Sequence, residues 1–207
     1  MDDVELPLFP LNVVLFPGSA LPLHIFEERY RLLIRECLAN RWPGFGINFV
    51  RKSKLSAVGC TAVVREVVQQ YPDGRCDIVA EGQRRYELHG VDEQTAPYIM
   101  GRVSFFSDDS GEIDRSLEQE TVGLYNNLLE AVYSDRLPKM VPGGNGLSFT
   151  IAQKAGMSLP ARQHLLETRS ENGRLDQLRK YLRAELPRLQ QAQEVQRIAH
   201  NDGYILP

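Results

Sequence analysis

The chain has 207 residues, of which 43% are hydrophobic and 25% are charged, and its formal net charge is −3 at pH 7. This composition is typical of a globular protein that buries a core without disulfides or metal ions, and it excludes a disordered, fibrous or transmembrane protein. Neither half of the chain has the excess of basic residues that binding to a nucleic-acid backbone requires. Three cysteines without C-x-x-C spacing and an acidic N-terminus predict a reduced, cytoplasmic protein.

The N-terminal part of the chain predicts strands and a single helix. Two short apolar runs interrupted by proline, 6–11 and 13–18, are typical of edge strands or strand starts, because proline cannot donate a ladder hydrogen bond. A further short strand is predicted over 21–26. The apolar period then changes to that of an amphipathic helix over 27–40.

A long β-hairpin is predicted next. A valine-rich run at 58–71 and a shorter run at 76–80 flank the turn sequence Pro-Asp-Gly at 72–74, so Cys76 should face about residue 70. Other strands are predicted at 46–50, 86–91 and 98–106. The number and spacing of these short strands predict a closed or partly closed antiparallel barrel, which we assign to a domain over 1–110.

The remainder of the chain predicts an α-helical domain over 111–207. Helical periodicity is found at 112–136, 148–155, 160–168 and 172–201. Ser158 is placed to cap the third of these helices. Residues 137–147 contain several prolines and glycines and predict a mobile loop. Pro187 falls inside the last helix and predicts a kink or a break near Arg183.

The sequence contains none of the motifs that commonly carry catalysis. A P-loop needs G-x-x-x-x-G-K-[ST] and a nucleophile elbow needs G-x-S-x-G, and neither pattern occurs. The four histidines are scattered along the chain, so no cluster of metal ligands is expected. We therefore predict no catalytic residue, no metal site and no cofactor.

Two groups of residues stand out as candidates for a structural or binding role. Glu27 and Arg29 lie at the start of the predicted helix, and Arg85 lies on a later strand. A carboxylate and a guanidinium in these places can form a bidentate pair that locks the helix onto the barrel, although separate surface charges explain them equally well. Aromatic side chains on loops and strand ends often anchor protein contacts. The predicted contact residues of this kind are Trp42, Phe45, Tyr71, Phe105 and Phe106.

Trp42 is the only tryptophan of the chain. It lies in a turn beside Pro43 and Gly44, where it either contacts a partner or covers the end of the preceding helix.

The opening of the chain resembles a known family. Residues 6–18, LPLFPLNVVLFPG, and 21–30, LPLHIFEERY, are similar to the start of the LON N-terminal domain, the substrate-binding domain of ATP-dependent Lon proteases that is also found in cereblon. Later segments keep the order of the family, namely 59–62, 72–75, 82–86 and 97–98, with weaker similarity at 159–160, 163, 165–167 and 174–175. The resemblance implies an α+β protein with an N-terminal PUA-like antiparallel pseudobarrel, which contains one helix, and a C-terminal α-helical bundle.

The resemblance also implies a function. The expected partners are unfolded or exposed apolar polypeptide segments, bound by burial of apolar surface and by pairing at exposed strand edges, with a separate protease or chaperone receiving them. The chain has neither a Walker motif nor the Ser-Lys dyad region of the proteases, so we expect a stand-alone, non-catalytic adaptor, with no membrane partner and at most a weak homodimer. The alternatives are a PUA-like nucleic-acid-binding module, which the charge balance disfavours, and an enzyme with a site between barrel and bundle.

Overall fold

The structure, a computed structural model, describes residues 3–133, 138–144 and 146–201. The strands in these ranges are β1 (Val4–Pro7), β2 (Ala20–Ile25), β3 (Phe45–Ile47), β4 (Val50–Arg51), β5 (Lys54–Leu55), β6 (Val58–Gln70), β7 (Cys76–Asp92) and β8 (Met100–Phe105). The helices are α1 (Glu28–Leu38), α2 (Arg115–Tyr133), α3 (Leu147–Lys154), α4 (Leu159–Glu167) and α5 (Glu171–Asn201).

The main sheet is antiparallel, and its strands follow the order β1-β8-β7-β6-β3, with β2 paired to the first part of β7. The predicted hairpin is confirmed, because Gln70 faces Cys76 across the turn. Strand β7 is longer than expected and unites the predicted strands 76–80 and 86–91. Residues 13–18, in contrast, form no strand. The fold is therefore of the predicted α+β class, with most of its strands in the N-terminal part.

The sheet is open, so of the two predicted forms, a closed or a partly closed barrel, the closed one is not formed. Only two isolated bridges, Leu8–Gly46 and Leu11–Phe49, connect the segment after β1 with the segment of β3. Pro7 and Pro10 lie in this segment, and neither has an N–H to donate to a continuous ladder. The two edges therefore meet at isolated points without forming a ladder along their length.

The core of the sheet unit lies between the sheet and α1. The apolar stripe of the helix buries Tyr30, Leu33 and Ile34, and Phe9 stacks on Tyr30 with ring centroids 3.9 Å apart. Burying each large apolar side chain contributes about 1.5–3 kcal/mol, so this stripe is what holds α1 on the sheet. The outer side of α1 lines two cavities.

The side chain of Tyr86 on β7 is buried next to β6 and β3. Its hydroxyl donates a hydrogen bond of 2.6 Å to Oδ1 of Asn48, and burial holds the pKa of this phenol well above its ordinary value. Gly46 on β3 and Gly59 on β6 leave room for the ring, since a Cβ at Gly59 would lie 2.5 Å from its Cζ atom.

The contacts divide the chain into two compact units. The first unit contains the residues up to Asp109 together with 157–169, and the second contains 110–156 and the chain from Ser170 onward. The predicted domains 1–110 and 111–207 would instead assign 157–169, and with them α4, to the helical part.

Polar contacts explain why α4 lies with the sheet. Arg85 on β7 donates hydrogen bonds of 2.8 Å to the carbonyl oxygens of Leu166 and Thr168. Gln163 donates a 3.0 Å bond to the carbonyl of Val58 on β6. These bonds satisfy polar groups at the end of α4. Helical periodicity predicts the helix itself but not the unit on which it packs.

The second unit consists of α2, α3 and α5. Its largest buried polar side chain is that of Arg174, which is 1% exposed and donates to Oγ of Ser148 at 2.8 Å. The predicted break in the last helix is absent, because α5 continues through Pro187. Ser158 in the first unit accepts a bond from the amide of Ala161, as predicted for a helix cap. Of the predicted loop 137–147, residues 138–144 are irregular, and 137 and 145 lie outside the described residues.

Candidate functional site

Strand β2 forms a free edge of the sheet. It pairs with β7 along Ala20–Ile25, and no backbone hydrogen bond joins its other side to any residue that the structure describes. Leu21, Leu23 and Ile25 face the core, whereas Ala20, Pro22 and His24 are exposed. An edge strand with unpaired backbone groups is a template for another extended segment.

Pro22 indicates which backbone groups of β2 point outward. Alternate residues of an antiparallel ladder exchange hydrogen bonds with their partner, and proline fits the other positions because it has no N–H. The amide of Gly82 donates a 2.9 Å hydrogen bond to the carbonyl of Ser19, so the backbone groups of Ser19 and of every second residue after it point toward β7. The N–H groups of Ala20 and His24 therefore point away from the sheet.

An aromatic cluster lies at the end of this edge. Nδ1 of His24 is 2.5 Å from Oδ1 of Asp77, and the hydroxyl of Tyr71 donates to Oδ2 of the same carboxylate at 2.7 Å. The Tyr71 bond, and after it the His24 bond, lower the pKa of the Asp77 carboxyl. Phe26 stacks near His24, with ring centroids 6.0 Å apart, and is 60% exposed. The cluster thus leaves a large apolar ring on the surface beside free backbone groups.

Two cavities lie along α1, which follows β2 in the chain. The larger, of about 550 Å³, is called here the α1 groove, and the smaller has a volume of about 250 Å³. The α1 groove is lined by Glu27, Glu28, Arg29, Leu32, Arg35 and Pro97. The smaller cavity is lined by Glu28, Arg31, Arg35, Asp73 and Gly74, so Glu28 and Arg35 border both. The larger volume is in the usual range of ligand pockets.

Trp42 is half-buried and is held by side-chain hydrogen bonds. Its Nε1 donates to the hydroxyl of Tyr98 at 2.9 Å and approaches Oε2 of Glu36 at 3.3 Å. Tyr98 also donates to Glu36, and this bond is the main cause of the lowered pKa of that carboxyl. Glu36 lies in the last turn of α1, so Trp42 packs near the end of the helix, as the second of the two interpretations expected.

The other predicted contact residues differ in exposure. Phe45 is fully buried and Phe106 is 8% exposed, so both belong to the core and are not available to a partner at the surface. Phe105 is half-buried beneath the guanidinium of Arg84, which lies 4.2 Å from the ring centre. Tyr71 is half-exposed in the cluster beside β2. These aromatic side chains therefore do not form one surface.

The predicted pairing of the helix start with Arg85 is not formed. Glu27 pairs with Arg29, whose Nη2 lies 2.8 Å from Oε2, and both side chains are exposed. Arg85 is buried, with its guanidinium over the ring of Phe106, and pairs with Asp108. A buried guanidinium needs several acceptors, and carbonyl groups around the end of α4 supply them.

Sequence reasoning missed the free edge of β2, the exposure of Phe26 and the role of α1 as a cavity wall. The apolar run at 21–26 carried a signal, because its proline pointed to an edge strand. The exposure of Phe26, one residue after that strand, carried none.

The described residues contain no helix long and apolar enough to cross a membrane. The same part of the chain brings no three histidine, cysteine or acidic side chains together in a metal-binding arrangement.

Comparison with known proteins places these features in context. Residues 5–184 match the family described as the ATP-dependent protease La (LON) substrate-binding domain. A Lon protease of Koribacter versatilis is 28% identical over 204 residues, which cover 89% of this chain and 24% of that protein. A Lon protease of Parabacteroides distasonis is 30% identical over 133 residues, which cover 55% of this chain and 15% of that protein. The chain thus spans less than a quarter of these relatives.

Solved structures share the fold. The crystal structure of a Lon N-terminal domain protein from Xanthomonas campestris matches with a TM-score of 0.66 at 25% identity, covering 84% of this chain and 96% of that one. The N-terminal domain of a Lon protease from the Mycobacterium avium complex matches with a TM-score of 0.62 at 17% identity, covering 86% and 98%. The predicted fold class is confirmed by these likenesses.

Proposed function

Because the chain belongs to the LON substrate-binding domain family, as its sequence indicated, we propose that it binds exposed segments of other polypeptides and holds them without cleaving them. The observation that carries this proposal is the free edge of β2 beside the exposed ring of Phe26. Backbone groups at an edge bind any extended sequence, and an exposed ring adds affinity for apolar side chains. Such a surface fits partners that share no sequence motif.

The expected affinity is modest. Backbone pairing with Ala20 and His24 supplies hydrogen bonds worth about 0.5–1.5 kcal/mol each, and full burial of Phe26 about 1.5–3 kcal/mol. Loss of translational freedom and ordering of the segment oppose these gains. A single segment should therefore bind with a Kd of about 1 μM to 1 mM.

Alternate N-methylation of a peptide tests the edge pairing. A labelled extended peptide is methylated on one set of alternate amides or on the other, and the Kd of each form is measured by fluorescence anisotropy. Only one edge of the peptide can face β2, so one methylated form should bind as the parent does and the other should bind much more weakly. Equal losses for both forms would argue against strand pairing.

Substitution of Phe26 tests the apolar contact. Phe26→Ala should weaken binding about 5-fold or more, since it removes an exposed ring that the partner buries. The matched control is Val68→Ala on β6, because Val68 is also an exposed apolar side chain, at 57%, and should leave the Kd unchanged. Unchanged binding for Phe26→Ala, or equal losses for both variants, contradicts the proposed surface.

The proposal extends to the fate of the bound segment, which is passed to a separate protease or chaperone. Similarity to Lon proteases supports this extension, since the matched part of those proteins is described as substrate-binding. Crosslinking in native cytosol, with partners identified by mass, should recover an ATP-driven protease or chaperone together with its client. Incubation of the pure protein with casein, with and without ATP, should yield no fragments. Cleavage by a contaminant-free sample would show that the protein is itself a protease.

A further inference from the structure

The charged side chains that border the two cavities along α1 are not all paired with one another. Glu27 pairs with Arg29, and Arg31 donates to the carbonyl oxygen of Asp73 at 2.5 Å. Glu28 and Arg35, in contrast, form no side-chain hydrogen bond or ion pair with any residue that the structure describes, and both are exposed. These two side chains are also the ones that border both cavities.

The two unpaired charges lie on one side of α1. They are separated by two helical turns, so their attachment points lie about 10 Å apart along the helix axis on nearly the same face. Leu32 lies between them and is half-buried, and Pro97 lines the same cavity from a loop outside the helix. The groove therefore presents an anion and a cation at its two ends with apolar surface between them.

We propose that the α1 groove binds a polypeptide segment in which a basic and an acidic residue flank an apolar one, in the spacing basic-x-apolar-x-acidic or its reverse. The basic side chain pairs with Glu28, the acidic side chain pairs with Arg35, and the apolar side chain packs on Leu32 and Pro97. This inference rests on the proposed function and deepens it by naming a preferred class of segment.

The spacing follows from strand geometry. In an extended chain, residues two and four positions apart point to the same side, and four positions span about 13 Å. Flexible Lys and Glu side chains bridge the difference from the ~10 Å between the attachment points of Glu28 and Arg35. An apolar residue midway between the two charges then falls opposite Leu32.

The test uses three extended peptides that differ only in charge. Their common core has Leu at the centre, flanked by Lys and Glu, by two Lys, or by two Glu, with Ser at the intervening positions. The wild-type protein should bind the mixed-charge peptide about 3- to 10-fold more tightly than either like-charged peptide, in proportion to one exposed ion pair gained and one repulsion avoided. The preference should shrink as salt rises.

Charge reversal in the protein should exchange the preferences. Arg35→Glu should bind the two-Lys peptide best, and Glu28→Arg should bind the two-Glu peptide best, because each variant presents two like charges. The control for Arg35→Glu is Arg51→Glu, which makes the same change in net charge on β4, outside the groove, and should keep the mixed-charge preference. Far-UV circular dichroism checks that each variant is folded.

The outcomes separate this inference from the proposed function. The charge assignment alone is overturned if an uncharged apolar peptide binds in a way that depends on Phe26 while the charged peptides show no preference. It is also overturned if Arg51→Glu shifts the peptide preferences as much as the groove variants do. Absence of binding by all peptides, charged and uncharged, overturns both.

Discussion

The buried position of Arg85 leads to a quantitative prediction about what holds α4 in the first unit. We expect Arg85→Met, which keeps the length and loses the charge, to remove the donors that reach the carbonyl groups of Leu166 and Thr168 and the pairing with Asp108. The side chain is 4% exposed, whereas that of Asp108 is 37% exposed. The ion pair is therefore partly screened, and the two carbonyl bonds carry most of the effect.

The magnitude follows from these bonds. A hydrogen bond to a charged donor contributes about 1.5–3 kcal/mol, and two of them give a loss of about 3–6 kcal/mol. For a chain of this size, that loss lowers the melting temperature by about 6–24 °C. Because the donors bind the C-terminal end of α4, the amides of this helix should also lose protection against hydrogen exchange before the sheet does.

A double-mutant cycle distinguishes this arrangement from the lock to the helix start that the sequence suggested. Glu27→Gln should cost less than about 1 kcal/mol, since its pair with Arg29 is exposed. The free energies of unfolding, measured by urea denaturation, should be additive for Glu27→Gln and Arg85→Met, since the structure forms no contact between the two side chains. A coupling energy above about 0.5 kcal/mol, or a loss below about 1 kcal/mol for Arg85→Met, would refute the reasoning.

Two further predictions concern single residues of the first and second units. The pKa of Glu36 is lowered in the fold, mainly by the hydrogen bond from Tyr98. The ionised carboxyl therefore stabilises the fold fully at pH values above its unfolded pKa of about 4.3, and this contribution is lost as the pH falls through the lower folded pKa. The emission of Trp42 should therefore change with a midpoint below about pH 4.3, and a transition of the same size in Glu36→Gln would contradict the assignment. Gly59→Ala should destabilise the fold by about 1–3 kcal/mol through overpacking. Gly123, in contrast, is exposed in α2 with open space around it, and Gly123→Ala should stabilise the fold by about 0.5–1 kcal/mol. Equal chemical-denaturation midpoints for the two variants would disprove the packing argument.

The candidate site could be predicted from the sequence only in part. The run at 21–26 was predicted as a strand but not as an edge strand, although Pro22 within it carries a local signal for an edge, because proline has no N–H to donate. The choice of aromatic contact residues was less informative, since Phe45 and Phe106 are buried and Phe26, which was not chosen, is exposed. Aromatic residues serve cores and surfaces equally well, and composition does not separate the two.

The sequence by itself determined the helices, the long hairpin and the division into strand-rich and helical parts. These features depend on periodicity, turn chemistry and caps, which act over a few neighbouring residues. Tertiary structure alone decided that β2 has no partner on one side, that α4 packs on the sheet, and that Arg85 bonds to carbonyl groups 81 and 83 positions away. Such contacts arise from burial and from the need of each buried polar group for a partner, and short-range patterns do not encode which distant group supplies it.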